Sequence, residues 1–255
     1  MTTLQTEWSG RHIGKDQLRS EVWSRLMEQG VAIGQPFGHI PKFKGADQAA
    51  ERLASLPIWQ HARVIKSNPD SPQQPVRGRA LLDGKKLYMA VPRLAQERCF
   101  VELTKADLEQ QGISLKTAAT IKGAMRYGRL VFFSEMEPID LVVTGCVAVS
   151  RDGGRTGKGA GFADLELGIL RQMGLIRADT PIVTTVHSLQ LVESAQLPMQ
   201  VHDWSLTWIV TPDEVIETHS TRSQPLGLDW TRIQPEQVET IPVLRKLKAQ
   251  VSHEG

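Results

Sequence analysis

Residues 153–166 read GGRTGKGAGFADLE, with five glycines and two cations in the first nine positions. Glycines at 157, 159 and 161 expose backbone N–H groups and let an anion approach closely. Arg155 and Lys158 supply the counter-charge. In the residues that follow, Phe162, Leu165, Ile169, Met173 and Ile176 are spaced for one apolar helical stripe. The glycines therefore open a helix at its N-terminus, where unpaired donors and the helix dipole favour an anion. The chemistry that suits this arrangement is phosphate binding. A glycine-rich turn with solvated cations is the plainer alternative, but three alternate glycines and two cations exceed what a turn requires.

Two well-known phosphate patterns do not fit. A P-loop needs glycine at 152 and Ser or Thr at 159, where Asp152 and Gly159 stand. A dinucleotide fingerprint begun at Gly157 needs a third glycine at the position of Phe162. Asp164, in the first helical turn, either complements the helix dipole or ligates Mg²⁺ beside phosphates, and local sequence leaves both open. Asp203, after His202, is either a turn aspartate or a site carboxylate. His202 reads as an orienting or core histidine rather than a base, and His187, at the end of an apolar strand, as a pocket liner at best. Asn68, Asp70, Arg77 and Arg79 lie in and after a proline-rich loop of the sort that carries substrate contacts. Arg93, Lys122 and Arg126 would extend an anion-binding surface, with surface solvation the simpler role for each. No GxSxG elbow and no HxxxH pair occur, so hydrolase and zinc chemistry lack support.

These residues need a frame. GKDQLRSEVWSRLMEQG predicts an amphipathic helix with Leu18, Val22 and Leu26 four apart and Lys15 and Arg19 sharing a face. ADQAAERLASLPIW predicts a second helix ending near Pro57, and TAATIKGAMRYG a weaker one. ARVIKS, KKLYMAVP, RCFVELT, TPIVTTVHS and LTWIVTPDEVIET read as strands. IDLVVTGCVAVS reads as one strong strand running directly into the glycines. NPDSPQQP reads as a loop, and a short helix is expected near 243–251. Apolar strands alternating with helices imply an α/β fold with a mostly parallel sheet covered on both faces. The expected organisation is a loosely ordered start at 1–12, an α/β domain over 13–220 and a C-terminal extension over 221–255.

The bulk composition narrows the classes. The 255 residues carry a net charge of +2 and no dense Lys/Arg tract, which speaks against general nucleic-acid binding. Cys99 and Cys146 form no CxxC pair, which suits a reducing cytosol, and Cys146 reads as a buried apolar residue. No apolar run is long enough for a membrane span, and the first residues carry no apolar leader pattern, so the expected location is cytoplasmic.

GRTGKGAGFAD resembles the signature of the 5-formyltetrahydrofolate cyclo-ligases, matching at Arg155, Gly157, Gly159, Gly161 and Asp164. The pair Lys15 and Arg19 is similar to that family's N-terminal ATP-contacting residues, and VHDWSLTWIVTP to its C-terminal His-Asp segment. The resemblance implies a three-layer α/β sandwich related to the ribose-isomerase and CoA-transferase group. It implies ATP and Mg²⁺ as cofactors, and phosphorylation of a formyl oxygen on a reduced folate followed by closure to 5,10-methenyltetrahydrofolate. It implies ATP contacts from Lys15, Arg19, Arg155, Thr156, Gly157, Lys158, Gly159, Ala160 and Gly161. Arg155 and Lys158 would act on the transferring group, and Asp164 and Asp203 would hold Mg²⁺. The stretch departs from the signature at Thr156, Lys158, Ala160 and Ala163, with loss of aromatic partners for a folate ring. NPD, KKLYMAVPRL and TIKGAMRYG are more similar to a divergent branch, the methenyltetrahydrofolate synthetase domain-containing type, although Ser188 stands where that branch is expected to carry Asp. A related heterocycle such as a thiamine-pathway compound, or binding without catalysis, stays open on these residues.

Overall fold

The computed structural model describes residues 12–253. The expected loose start at 1–12 therefore lies, except for His12, outside the described residues. In chain order the helices are α1 (Ile13–Glu28), α2 (Ala46–Ala54), α3 (Pro57–His61), α4 (Gln74–Leu82), α5 (Lys105–Gln110), α6 (Leu115–Ala118), α7 (Ile121–Tyr127), α8 (Phe162–Gln172), α9 (Pro235–Thr240) and α10 (Pro242–His253). The strands are β1 (Val64–Ser67), β2 (Lys86–Ala90), β3 (Phe100–Leu103), β4 (Arg129–Val131), β5 (Leu141–Val143), β6 (Ala148–Ser150), β7 (Arg155–Thr156), β8 (Ile182–Thr185), β9 (Leu191–Val192), β10 (Trp208–Val210) and β11 (Val215–Glu217).

The main sheet has the order β11-β10-β8-β5-β1-β2-β3-β4. Its inner run β10, β8, β5, β1 and β2 is parallel. Antiparallel partners close both edges, β11 on one side and β3 with β4 on the other. Successive strand residues face opposite ways, so a sheet buried on both faces needs apolar side chains at nearly every position. Ile65, Leu87, Met89, Leu141 and Val143 pack with α2 and α4 on one face. Val64, Tyr88, Ala90 and Val142 pack with α8 and α10 on the other. The sheet thus carries helices on both faces.

A smaller sheet, β7-β6-β9, stands beside it. There Val147, Ala148 and Val192 cover Leu18, Val22 and Leu26 of α1. This corrects the single strand expected over IDLVVTGCVAVS. The run divides into β5 of the main sheet and β6 of the small one. Both halves are buried, so an unbroken apolar pattern hid the break. The glycine stretch consequently leaves the β6–β7 hairpin rather than a central strand. NPDSPQQP is likewise shorter as a loop than expected, because α4 begins at Gln74 with Pro75 in its first turn, a position that needs no backbone N–H.

The segment beyond 220 adds to the same core. Ile241, Val243, Leu244 and Leu247 join the cluster that contains α8. Both cysteines are buried and free, and Cys146 is an interior apolar residue as expected. Among the described residues no helix is long and apolar enough to cross a membrane.

Candidate functional site

A cavity of about 1190 Å³ opens where β1 and β2 end, bounded by Asn68–Asp70 after β1 and Val91–Leu94 after β2. The carboxyl edge of parallel strands is where open α/β sheets leave room for ligands, because the connecting loops diverge there. The glycine stretch forms one wall. Gly159 and Gly161 have φ of +103° and +68°, a left-handed backbone that side chains with a Cβ adopt only at a cost. Gly161 is the N-cap of α8 and no side chain caps this helix. The Ala163 and Asp164 N–H groups therefore have no acceptor among the described residues. An anion-sized ligand would meet free donors at the positive end of an eleven-residue helix.

Three cations meet at this wall, Arg155 from the glycine stretch itself and two from α1. Arg155, 3% exposed, forms an ion pair with Asp164 and donates from Nε to the Trp204 carbonyl at 3.0 Å. Lys15 of α1 forms a buried ion pair with Asp203. Arg19, one turn on, donates to the Gly157 carbonyl at 2.7 Å and to Thr156 Oγ1 at 3.0 Å, and also pairs with Asp16. Its bond to Gly157 ties α1 to the glycine loop. The Trp204 N–H donates to Asp164 Oδ1 at 3.4 Å, so the segment that carries Asp203 lies against the first turn of α8. Lys158 is exposed and crosses the mouth to Asp70 at 3.0 Å. All of the residues expected to hold a nucleotide or Mg²⁺, from Lys15 to Asp203, line this one cavity.

Others fall elsewhere. Arg77 is fully buried in α4, where it donates to the carbonyls of Ala119, Asn68 and Asp70 and so fixes the loop after β1. Burial pushes its guanidinium down to about 10. Arg79 pairs with Glu51 and Asp83 on the outer face of α4. Lys122 and Arg126 are exposed and outside the cavity. His187 accepts from the Leu189 N–H and stacks edge-on to Phe43, also outside it. His202 lines the cavity, and its buried Nδ1 has no partner among the described residues. Arg93 lines the mouth with φ of +60°.

Sequence reasoning missed a buried pair beneath the glycine wall. Lys66, in the centre of β1, is fully buried, forms an ion pair with Glu166 of α8 and donates to Asn68 Oδ1 at 2.6 Å. Burial pushes its ammonium down to about 7, the nearby Arg155 adds to that shift and Asp70 opposes it. Both partners carried a signal. Lys66 interrupts the apolar run ARVIKS, and Glu166 stands four after Phe162 and three before Ile169, on the core-facing stripe. Aromatic surface was also missed: Trp23 and Phe37 line the cavity with ring centroids 5.7 Å apart.

A model of the 5-formyltetrahydrofolate cyclo-ligase family matches residues 12–212 of the chain. Over 245 residues the chain is 37% identical to the methenyltetrahydrofolate synthase domain-containing protein of Bos taurus, covering 95% of this chain and 64% of that protein. The Homo sapiens protein of the same name is 35% identical over 245 residues, with 95% and 63% covered. The chain thus spans a little under two thirds of the length of these curated relatives. Among solved structures, the 5,10-methenyltetrahydrofolate synthetase of Aquifex aeolicus superposes with a TM-score of 0.51 at 17% identity, over 83% of this chain and 96% of that one, a likeness of fold.

Proposed function

Because the chain belongs to the 5-formyltetrahydrofolate cyclo-ligase family, we propose that it uses Mg-ATP to activate a formyl or carbonyl oxygen for ring closure. The substrate is a reduced folate such as 5-formyltetrahydrofolate, or a related heterocycle. The observation that carries this proposal is the convergence of Lys15, Arg19 and Arg155 on the uncapped start of α8. The residues suit the cofactors. Free N–H donors and buried cations match a polyphosphate, and two carboxylates in the same cavity match Mg²⁺, which takes one or two carboxylates and fills its remaining positions with phosphate oxygens and water.

Bound Mg-ATP would supply a phosphoryl group that turns the formyl oxygen into a leaving group. The chain's own part is positioning and charge neutralisation. Lys15, Arg19 and the 157–161 backbone hold the phosphates, with Arg155 and Lys158 at the transferring group. Asp164 and Asp203 would hold Mg²⁺, which would neutralise phosphate charge. Trp23 and Phe37 offer a planar ring the apolar faces that Ala160 and Ala163 lack.

The test is calorimetric titration with Mg-ATP, followed by ATP-dependent absorbance of a methenyl product from 5-formyltetrahydrofolate. Binding with turnover is expected, and a wild-type protein without Mg-ATP affinity overturns the proposal. The small residues at 160 and 163 favour a second reading, in which the chain binds nucleotide and ring without turnover or acts on a thiamine-related heterocycle. Binding of Mg-ATP and folate with no methenyl product would select it.

A further inference from the structure

The cavity has another wall, built from residues after the family match ends at 212. Gly227, Leu228, Asp229, Arg232, Gln237 and Thr240 line it opposite the post-β1 and post-β2 loops. This segment is docked firmly. A Cβ on Gly168 would stand 3.0 Å from Leu228 Cδ2 and 3.2 Å from the Gly227 carbonyl, so α8 and the segment meet at backbone distance. Ile241 and Leu244, just beyond it, are buried in the α8 core.

Gln237 is the notable member. It is 7% exposed, and its Oε1 accepts from the Gln234 N–H at 2.9 Å, closing the start of α9. Its Nε2 donates to no group among the described residues. That nitrogen lies 3.8 Å from where a Cβ on Gly161 would stand, directly over the N-cap of α8. The residue lines the cavity, so this amide donor is available to a ligand oxygen held at the helix start.

We infer that Gln237 is a ligand-contacting residue of the anion site, its Nε2 donating to a phosphoryl oxygen held at the N-terminus of α8. This rests on the Mg-ATP proposal above and deepens it: the cradle of the family core is completed by a donor from the C-terminal segment. The geometry also fixes the choice of test. Gln237→Glu keeps the oxygen that accepts from Gln234 and replaces the donor by a carboxylate oxygen. Gln237→Met removes both polar atoms without adding charge.

Titrating the full chain with Mg-ATP and with tripolyphosphate tests the inference. Gln237→Glu is expected to weaken both ligands about 10- to 100-fold, and Gln237→Met about 10-fold, because a hydrogen bond to a charged group is lost. The melting temperature of Gln237→Glu should stay near that of wild type, because the cap of α9 survives. Wild-type affinity for both ligands in either folded variant overturns the inference and leaves the Mg-ATP proposal standing. Wild-type protein that binds neither ligand overturns both.

Discussion

Two clusters of ion pairs lie on opposite parts of the main sheet. At its antiparallel edge Glu102 accepts from Tyr88 at 2.9 Å and from Arg129 at 3.0 Å, with Lys86 at 3.8 Å, while Arg129 and Lys86 reach on to Glu135 and Glu137. At the carboxyl end of the parallel strands Lys15, Arg19, Arg155 and Lys158 each meet a carboxylate too. Counting charges does not separate the clusters, since both are paired. Their settings do. The edge pairs open outward, with the Arg129 side chain 53% and Glu137 56% exposed, so water shares the field of these outer charges although Glu102 between them is buried. The cavity pairs are mostly buried, two of them (Lys15–Asp203 and Lys158–Asp70) join elements far apart in sequence, and they surround backbone donors that have no acceptor among the described residues. What marks a site here is an unfilled demand for negative charge in a concave space.

The comparison breaks or sharpens under four sets of variants. The largest effect is expected at the buried Lys66–Glu166 pair at the floor of the cavity. Lys66→Met strands a buried Glu166 carboxylate and should cost about 3–5 kcal/mol in denaturant unfolding. The double variant Lys66→Met, Glu166→Leu should recover most of that loss, because an apolar pair carries no desolvation penalty. If the single variant is as stable as wild type, that pair belongs with the solvated edge. Next, Arg155→Ala should weaken Mg-ATP roughly 100-fold in calorimetry, the equivalent of one strong charge-assisted contact. Smaller again is Gly159→Ala, which places a Cβ at φ of +103° and should cost about 1–2 kcal/mol of stability together with some ligand affinity. The smallest belongs to the edge. Arg129→Ala should change stability by no more than about 1 kcal/mol and leave Mg-ATP affinity untouched. A loss of binding there would erase the distinction drawn above.

Much of this organisation is legible in the sequence where a local rule carries it. The i, i+4 spacing of Leu18, Val22 and Leu26 gives α1, and the stripe from Phe162 gives α8. The glycines and cations at 155–161 give the anion wall without knowledge of the fold. What stays hidden depends on contacts across the chain. The division of IDLVVTGCVAVS into two sheets leaves no trace, because Val142 and Val149 are equally buried. The helix at Gln74 is masked by Pro72, Pro75 and Gly78, residues that signal turns unless the first-turn position of Pro75 is known. Gln237 sits in a polar stretch with no periodicity, and only the approach of that stretch to α8 gives it a role. The post-220 segment reads as an extension in sequence, but in space its apolar residues share a core with the domain before it.

The pair formed by Lys15 and Asp203 spans 188 positions of the chain. During synthesis from the N-terminus, α1 emerges long before its partner, and the wall carrying Gln237 follows later still. Closing loops of that length precedes any reward from the contacts they bring, so this part of the molecule is expected to mature late in folding. Affinity for the ligand would then serve as a report on completeness. A chain truncated before 237 should keep most of its strands and lack a finished site, and a ligand that recognises only the finished form draws late-folding chains towards it by mass action.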